Sequence, residues 1–177
     1  MNIRAISDRA DLAKYFHELG YKTGAEIGVD EGIYSEILCK ANPGLKLYSI
    51  DTWDLDAEGS SRYRRRRLDE AKKRLVPYNA ILIKKYSQDA VNDFADDSLD
   101  FVYIDAGHRF DDVMQDIMKW TKKVKKGGIV SGHDYVPDAQ GVIASVDAYM
   151  KGHYLKLNLT TDSSEPLSWW FKKRWAS

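Results

Sequence analysis

Short β-prone runs alternate with amphipathic helical stretches along most of this 177-residue chain, and this alternation restricts the fold more than any other feature. The pattern is typical of a parallel sheet whose strands are connected by crossover helices. Five strands are predicted, over 25–29, 46–50, 80–84, 99–104 and 129–131. The predicted helices are 7–20, with Ser7 as its N-cap, and 35–41, 62–75, 89–94, 111–124 and 141–150.

Two more strands are predicted near the C-terminal end, over 154–160 and 167–172, and they form an antiparallel hairpin. We therefore expect an α/β fold, a Rossmann-like three-layer sandwich with a mostly parallel seven-stranded sheet. A dehydrogenase-type Rossmann fold adds a further parallel unit at this point, so the hairpin disfavours a dehydrogenase. The length predicts a single domain over 1–177, with an N-terminal helix within 1–20 and a lid at the polar stretch 54–66.

Composition restricts the partners. Basic and acidic residues number 27 each, so no net charge attracts the chain to nucleic acid or to a membrane surface. Cys39 is the single cysteine, which excludes an intrachain disulfide and a cysteine-rich metal cluster. No apolar run approaches the ~18 residues of a membrane span, and the first residues lack a signal-peptide pattern. We expect a cytoplasmic protein with a small-molecule partner. Trp169, Trp170 and Trp175 are expected to pack in the core, with a homodimer contact as the alternative.

The first strand leads into a glycine turn with the pattern E-x-G-x-x-x-G-x-x-S, which spans Glu26 to Ser35. Gly28 permits a sharp turn at the strand end, and Gly32 permits a ligand to approach the backbone closely. The dinucleotide fingerprint G-x-G-x-x-G is not met, because Asp30 stands at its second glycine position. An acid at this point repels a pyrophosphate but attracts a cationic sulfonium. A turn with no ligand is the alternative.

Asp51 ends the second predicted strand, 23 residues after Gly28. An acid about 20 residues beyond the glycine turn is the residue type that binds ribose hydroxyls in nucleotide-binding sheets. An aspartate that only caps a loop is the alternative. The glycine turn and Asp51 together favour an adenosine-containing cationic ligand.

Six segments in this order resemble the class I methyltransferases, and specifically those of the Methyltransferase 24 type. The segments are AEIGVDEGIYS, LYSIDTW, YSQDAV, FVYIDAGHRFDDVMQDIMKW, KKGGIVSGHDY and SWWF, and the resemblance extends from about 20 to 172. It implies a sheet of strand order 3-2-1-4-5-7-6. It also implies an enzyme that uses S-adenosyl-L-methionine and methylates a small molecule, with O-methylation expected.

The resemblance also assigns cofactor-binding residues. At the methionine end it implies Glu26, Gly28, Gly32, Tyr34 and Ser35, together with Asp105. At the adenosine end it implies Asp51 for the ribose, Thr52 and Trp53 beside the adenosine, and Ser87, Gln88 and Asp89 at the adenine edge. One position departs from the family pattern, because many class I enzymes carry glycine where Asp30 stands.

Polar residues follow the fourth and fifth predicted strands, where ligands of open α/β sheets bind. In one mechanism Asp105, His133 and Asp134 bind a divalent metal, Mg or Mn, which lowers the pKa of an acceptor hydroxyl. That set resembles the site of catechol-type O-methyltransferases, except that a histidine nitrogen replaces an oxygen ligand, which makes manganese or another transition ion an equal candidate to magnesium. In the other mechanism His108 or His133 is a metal-free general base. A structural role is the third alternative, with Asp105, His108 and Asp111 capping a helix.

The dense cationic run that includes Arg62 and Arg64 to Arg67 has two interpretations. A solvated helix face with local ion pairs is favoured, and binding of an anionic acceptor is the alternative. Two other functions compete with a methyltransferase. One is a nicotinamide-dependent oxidoreductase, and the other is a cofactor-binding module without catalytic activity.

Overall fold

The computed structural model contains a seven-stranded sheet of order β3-β2-β1-β4-β5-β7-β6, as predicted. It describes residues 5–53 and 62–177, apart from the side chains of 62–65. Of the predicted lid at 54–66, residues 54–61 lie outside the described residues, and residues 62–66 belong to the first turns of α3. The strands are β1 (Thr23–Ile27), β2 (Lys46–Asp51), β3 (Ala80–Lys84), β4 (Leu99–Ile104), β5 (Val124–Gly132), β6 (Asn158–Leu159) and β7 (Trp169–Lys172). The helices are α1 (Arg9–Glu18), α2 (Ile33–Ala41), α3 (Arg62–Leu75), α4 (Ser87–Ala90), α5 (Phe110–Lys123) and α6 (Gln140–Gly152), and a 3₁₀ turn (Val91–Asp93) follows α4.

The register of the parallel strands aligns their carboxyl ends. Ile27, the last residue of β1, lies opposite Ile50 of β2 on one side and Ile104 of β4 on the other. Ile104 in turn lies opposite Gly132, the last residue of β5. Residues that follow these four strands therefore meet at one edge of the sheet. β7 pairs antiparallel with both β5 and β6, which confirms the predicted hairpin.

Apolar side chains fill both faces of the sheet, because β1 and β4 are buried almost throughout. On one face, Val113, Ile117 and Trp120 of α5 recur at helical spacing and pack against the sheet. On the other face, Phe16 of α1 stacks on Phe101 with ring centroids 4.3 Å apart. Burial of each such side chain contributes about 1.5–3 kcal/mol to the free energy of unfolding. The two layers of helices and the sheet form the predicted three-layer sandwich.

The tryptophans after β6 pack as predicted. Trp169 and Trp170 are 1% and 2% exposed and belong to the clusters on opposite faces of the sheet. Trp175 stacks on His153 with ring centroids 5.5 Å apart. Among the described residues, no helix combines the length and apolarity that a membrane span requires.

Several predicted boundaries were wrong for local reasons. The N-cap of α1 is Asp8 rather than Ser7, because the Asp8 carboxylate accepts the Asp11 N–H at 2.7 Å. β1 begins and ends two residues early, since Gly28 leaves the extended conformation with φ of 89°. β5 starts at Val124 rather than Ile129 and passes through a register shift against β4. The segment 89–94 is a short α-turn followed by a 3₁₀ turn instead of one helix.

Candidate active site

A cleft of about 1100 Å³ lies across the carboxyl ends of β1, β2 and β4, where parallel α/β sheets bind ligands. Its walls come from the glycine turn after β1, the segments after β2 and β3, the turn after β4 and the first two turns of α5. The predicted cofactor residues on this lining are Glu26, Gly28, Tyr34, Asp51, Thr52, Ser87, Gln88 and Asp105. Gly32, Ser35, Trp53 and Asp89 are absent from it.

Gly28 allows the main chains after β1 and β4 to contact each other at the floor of the cleft. A Cβ at this position would lie 1.9 Å from the backbone oxygen of Asp105. The Gly28 N–H donates to the Ile50 carbonyl at 2.8 Å, and the Asp105 N–H donates to the Ile27 carbonyl at 2.7 Å. The glycine is therefore required both by its positive φ and by the space available.

Asp51 shapes the glycine turn. Its Oδ2 accepts the N–H groups of Val29 at 2.8 Å and Asp30 at 2.9 Å, and its Oδ1 accepts the Trp53 N–H at 2.8 Å. Each carboxylate oxygen carries two lone pairs, so Oδ1 retains acceptor capacity for a ligand hydroxyl. Asp51 lines the cleft and also holds the loop. Its position is therefore compatible with both roles considered for it, ribose binding and loop capping.

The predicted ligand contact Trp53 packs behind the turn. Its indole is 5% exposed in a cluster with Val29 and Ala71, and its Nε1–H donates to the Asp30 carbonyl at 2.9 Å. Asp30 and Trp53 both have positive φ, 52° and 45°. The guanidinium of Arg67 on α3 pairs with the Asp30 carboxylate. The Asp30 side chain, which departs from the family's glycine, thus links α3 to the turn.

Glu26 is an acid enclosed at the floor of the cleft, 1% exposed. Its Oε2 accepts the hydroxyl of Ser35, whose oxygen also lies 2.8 Å from the hydroxyl of Ser49. Burial raises the pKa of Glu26 to about 8, against which the Ser35 hydrogen bond acts only partly. The carboxyl therefore retains its proton at neutral pH in the unliganded protein.

The far end of the cleft, beyond β3, is organised by Asp116 of α5. Its Oδ1 accepts the Ser87 hydroxyl at 2.5 Å and Gln88 Nε2 at 2.6 Å. The Ser87 oxygen accepts the indole N–H of Trp120 at 2.8 Å. Burial raises the pKa of Asp116 to about 6, so it is mainly ionised at neutral pH. Ser87 and Gln88 are thus held in place by a buried acid on the neighbouring helix.

Asp105, His108, His133 and Asp134 converge at the mouth of the cleft. Asp134 Oδ2 lies 2.8 Å from His108 Nε2, and Asp134 Oδ1 lies 3.2 Å from His133 Nδ1. The His133 hydrogen bond lowers the pKa of Asp134, whereas burial raises the pKa of Asp105. Asp134 has a positive φ of 57°, and such strained backbone clusters at functional sites. The alternative helix-capping network is not formed, because the N-cap of α5 is Arg109.

Three of these side chains are close enough to share a cation. One ligand atom from each of Asp105, His108 and Asp134 lies within 4.8 Å of the other two. The group contains His108, which is 53% exposed, in place of the predicted His133. His133 is 8% exposed and lies beneath the mouth, with its Nδ1 3.9 Å from Asp105 Oδ2. Two oxygens and one nitrogen suit manganese or another transition ion better than magnesium.

Residues 25–135 match the family model of the Methyltransferase 24 type, which is described as a methyltransferase domain. The chain belongs to this methyltransferase family. Its Rossmann-like fold is the fold of the class I methyltransferases.

The fold of the methyltransferase resembles solved structures at low sequence identity. The O-methyltransferase from Bacillus cereus in complex with S-adenosylhomocysteine aligns with a TM-score of 0.70 and 13% identity, covering 93% of this chain and 80% of that one. A protein assigned as an rRNA-methylase from Clostridium thermocellum aligns with a TM-score of 0.69 and 14% identity, covering 98% and 100%. The uncharacterized protein y4gI of Sinorhizobium fredii is 25% identical over 126 residues, which are 67% of this chain but 14% of that much longer relative.

Two residues of the methyltransferase cleft were missed by sequence reasoning. For Asp116 the sequence does contain a signal, because this acid lies on the otherwise apolar face of α5 that carries Val113 and Trp120. For Arg9 the sequence contains no such signal, since only the packing of α1 on the folded sheet brings this residue to the cleft. Its guanidinium Nη1 lies 4.0 Å from Asp105 Oδ2, and the two residues are far apart in sequence.

Proposed function

We propose that this methyltransferase transfers the methyl group of S-adenosylmethionine to a hydroxyl oxygen of a small molecule. The observation that carries the proposal is the position of Asp134. This carboxylate binds both imidazoles at the mouth of the cleft, beside Asp105 and opposite the glycine turn. An imidazole held by a carboxylate in this way can accept a proton from an acceptor hydroxyl, which methyl transfer to oxygen requires.

The cleft fits the proposed cofactor in size and charge. Its volume of about 1100 Å³ accommodates a ligand of this size together with an acceptor. Near the tips of β1 and β4, Asp105 and Asp134 provide negative charge for a sulfonium and an ammonium group, and the Glu26 carboxyl can accept a hydrogen bond from the ammonium. At the tip of β2, Asp51 retains acceptor capacity for a ribose hydroxyl. We place the methionine portion near β4 and the adenosine portion toward Ser87 and Gln88.

His108 is the proposed general base. Because Asp134 is ionised and lies 2.8 Å from His108 Nε2, it favours the tautomer with the proton on Nε2. The His108 Nδ1 then keeps a lone pair that can take the acceptor's proton. S-adenosylmethionine supplies an electrophilic methyl group and leaves as S-adenosylhomocysteine. The acceptor oxygen gains the methyl group, and His108 gains the proton, which it returns to solvent.

A metal-assisted mechanism is a second candidate, and the 4.8 Å grouping of Asp105, His108 and Asp134 favours it. The donor set fits a transition ion such as Mn²⁺, with remaining positions left for solvent and acceptor oxygens. A cation there lowers the pKa of an acceptor hydroxyl. In this mechanism Asp105 and Asp134 hold the cation, and His108 is a ligand instead of a base.

Calorimetric titration tests the cofactor assignment, and product formation tests the chemistry. The protein should bind S-adenosylhomocysteine and not NAD; a preference for NAD would remove the proposal. S-adenosylhomocysteine formation would then be measured with catechol, a hexose, a matched aryl amine and an RNA hairpin as acceptors. Methylation of the amine or the RNA alone would contradict the proposed acceptor.

Asp134→Asn tests the carboxylate that orients the proposed base, with Asp138→Asn, an exposed acid in the same loop, as the matched control. We expect turnover to fall by about 10²–10⁴-fold in Asp134→Asn with cofactor affinity retained. Unchanged turnover would remove Asp134 from the mechanism. EDTA separates the two candidates, because a metal-free His108 base is insensitive to chelation and the metal site is not. Restoration of activity by Mn²⁺ would identify the second.

A further inference from the structure

Arg9 is a cation at the methionine end of a cleft whose other charged groups there are acidic. It is the first residue of α1, and its partly buried guanidinium lines the cleft with Glu26, Tyr34 and Asp105. The guanidinium carbon lies 5.5 Å from the centroid of the Tyr34 ring, and Nη1 lies 4.0 Å from Asp105 Oδ2.

The fold holds Arg9 in this position from two directions. Its Nε lies 3.7 Å from Glu165 Oε2, and its backbone N–H donates to Glu165 Oε1 at 3.4 Å. Its backbone carbonyl accepts the Tyr34 hydroxyl at 3.0 Å. Ile6 and Ser7, which lie shortly before Arg9 in the chain, are held as well, since the Thr161 N–H donates to both of their carbonyls at 3.0 Å. A guanidinium held in this way loses little entropy when it binds a ligand.

The amino-acid portion of the proposed cofactor carries an α-carboxylate, which the acids at this end repel. Ser35, assigned to this end by family resemblance, is 0% exposed, and its hydroxyl is bonded to Glu26 and Ser49. It has no surface with which to bind a carboxylate.

The other described cations on the cleft lining are engaged elsewhere. Arg67 pairs with Asp30 on the glycine turn. Lys85 Nζ lies 2.6 Å from Asp93 Oδ2, on the β3 side of the cleft. Arg109 Nε lies 3.6 Å from Asp112 Oδ2, on α5. Within the described part of the chain, Arg9 is thus the cation beside the tip of β4.

We propose that Arg9 binds the α-carboxylate of S-adenosylmethionine, an inference that rests on the cofactor position in the proposed function. The planar guanidinium matches a carboxylate in charge and geometry. When the carboxylate takes this place, Arg9 no longer has to neutralise Asp105, and Asp105 becomes available to the cofactor's ammonium group or to the acceptor.

The test compares two ligands that differ only in the carboxylate, S-adenosylhomocysteine and its decarboxylated analogue, by calorimetric titration. Wild-type protein should bind S-adenosylhomocysteine about 10–100-fold more tightly, the range expected for a hydrogen bond between charged groups. Arg9→Gln should lose most of this preference, with little change for the analogue. Arg9→Lys keeps the charge without the planar fork and should be intermediate. Lys14→Gln, an exposed cation on the same helix, is the matched control and should behave as wild type.

Two outcomes overturn the inference while the cofactor assignment stands. One is a wild-type protein that binds both ligands equally, which needs no variant. The other is an Arg9→Gln protein, shown to be folded by its thermal transition, that weakens both ligands by the same factor or neither. If wild-type protein binds neither ligand, the proposed function itself fails.

Discussion

Replacement of Glu26 by glutamine should remove a large pH dependence of the free energy of unfolding. In the folded protein this carboxyl is 1% exposed and its pKa is about 8, against an ordinary value of 4.5. Below pH 4.5 both states are protonated, so the group contributes no difference between them. Between pH 4.5 and 8 the unfolded chain loses the proton and the folded chain keeps it. Stability therefore falls as the pH rises through this window.

The magnitude follows from the two pKa values. At roughly 1.4 kcal/mol per pH unit, the interval from 4.5 to about 8 corresponds to about 5 kcal/mol. A typical domain has a free energy of unfolding of about 5–15 kcal/mol, so the effect of this single group amounts to between one third and all of that value. Glutamine keeps the side-chain volume and an oxygen that can accept the Ser35 hydroxyl, so the packing of the floor should persist. As the pH rises, the free energy of unfolding of the variant should therefore increase relative to that of the wild type.

Urea denaturation without cofactor, followed by tryptophan fluorescence at constant ionic strength from pH 4.5 to 8, measures this difference. Glu36→Gln is the matched control. A hydrogen bond from Lys40 lowers the pKa of Glu36, so its stabilising contribution is present at neutral pH and is lost as the pH falls. That loss lies below pH 4.5, so from pH 4.5 to 8 the Glu36→Gln curve should run parallel to that of wild type. Parallel curves for Glu26→Gln and wild type would refute the reasoning, because they would mean that Glu26 is ionised in the folded protein.

Two further predictions concern the floor of the cleft. Gly28→Ala should lower the free energy of unfolding by about 2–4 kcal/mol and weaken cofactor binding, since its Cβ would lie 1.9 Å from the Asp105 carbonyl. Gly44→Ala is the control, because Gly44 also has a positive φ but has nothing within 4 Å of the added Cβ, and it should cost about 1–2 kcal/mol. Equal losses of the two variants in chemical denaturation would contradict this prediction. Binding of S-adenosylhomocysteine near pH 7.5 should release a proton from Glu26, because a cationic ammonium nearby lowers its pKa. Calorimetric heats should then vary with the buffer's ionisation enthalpy in wild type and not in Glu26→Gln.

The number of strands and their approximate positions along the chain could be predicted because the signals for them are local. The apolar runs that became β3 and β4 have the same bounds in the structure as in the sequence, and Gly28 marked the turn after β1. The hairpin was recognisable, although β6 is only two residues long, Asn158–Leu159. What failed were boundaries set by tertiary contacts, such as β5, whose first residues pair with Leu99 across a register shift.

Without the family resemblance, which supplied residues such as Glu26 and Tyr34, the candidate site was predictable mainly where residues follow strand ends. Asp51 and Asp105 were found in this way, because parallel strands bring their carboxyl ends to one edge. The roles of Ser35 and Trp53 could not be read from spacing, since burial alone decides whether such a side chain faces a ligand or the interior. The contact between Arg9 and Asp105 depends on the position of α1 on the finished sheet, for which the local sequence contains no signal.

The two carboxylates at the mouth of the cleft illustrate how position separates their roles. Burial raises the pKa of Asp105, while the hydrogen bond from His133 lowers the pKa of Asp134. Neighbouring acids whose pKa values are pushed apart usually divide the work of a reaction between them. Asp134 stays ionised and orients His108, whereas Asp105 responds to whichever cation lies beside it, Arg9 or the cofactor. On the proposed mechanism, cofactor binding should therefore release Asp105 from Arg9 and place it beside the cofactor's ammonium group, while Asp134 and His108 act on the acceptor.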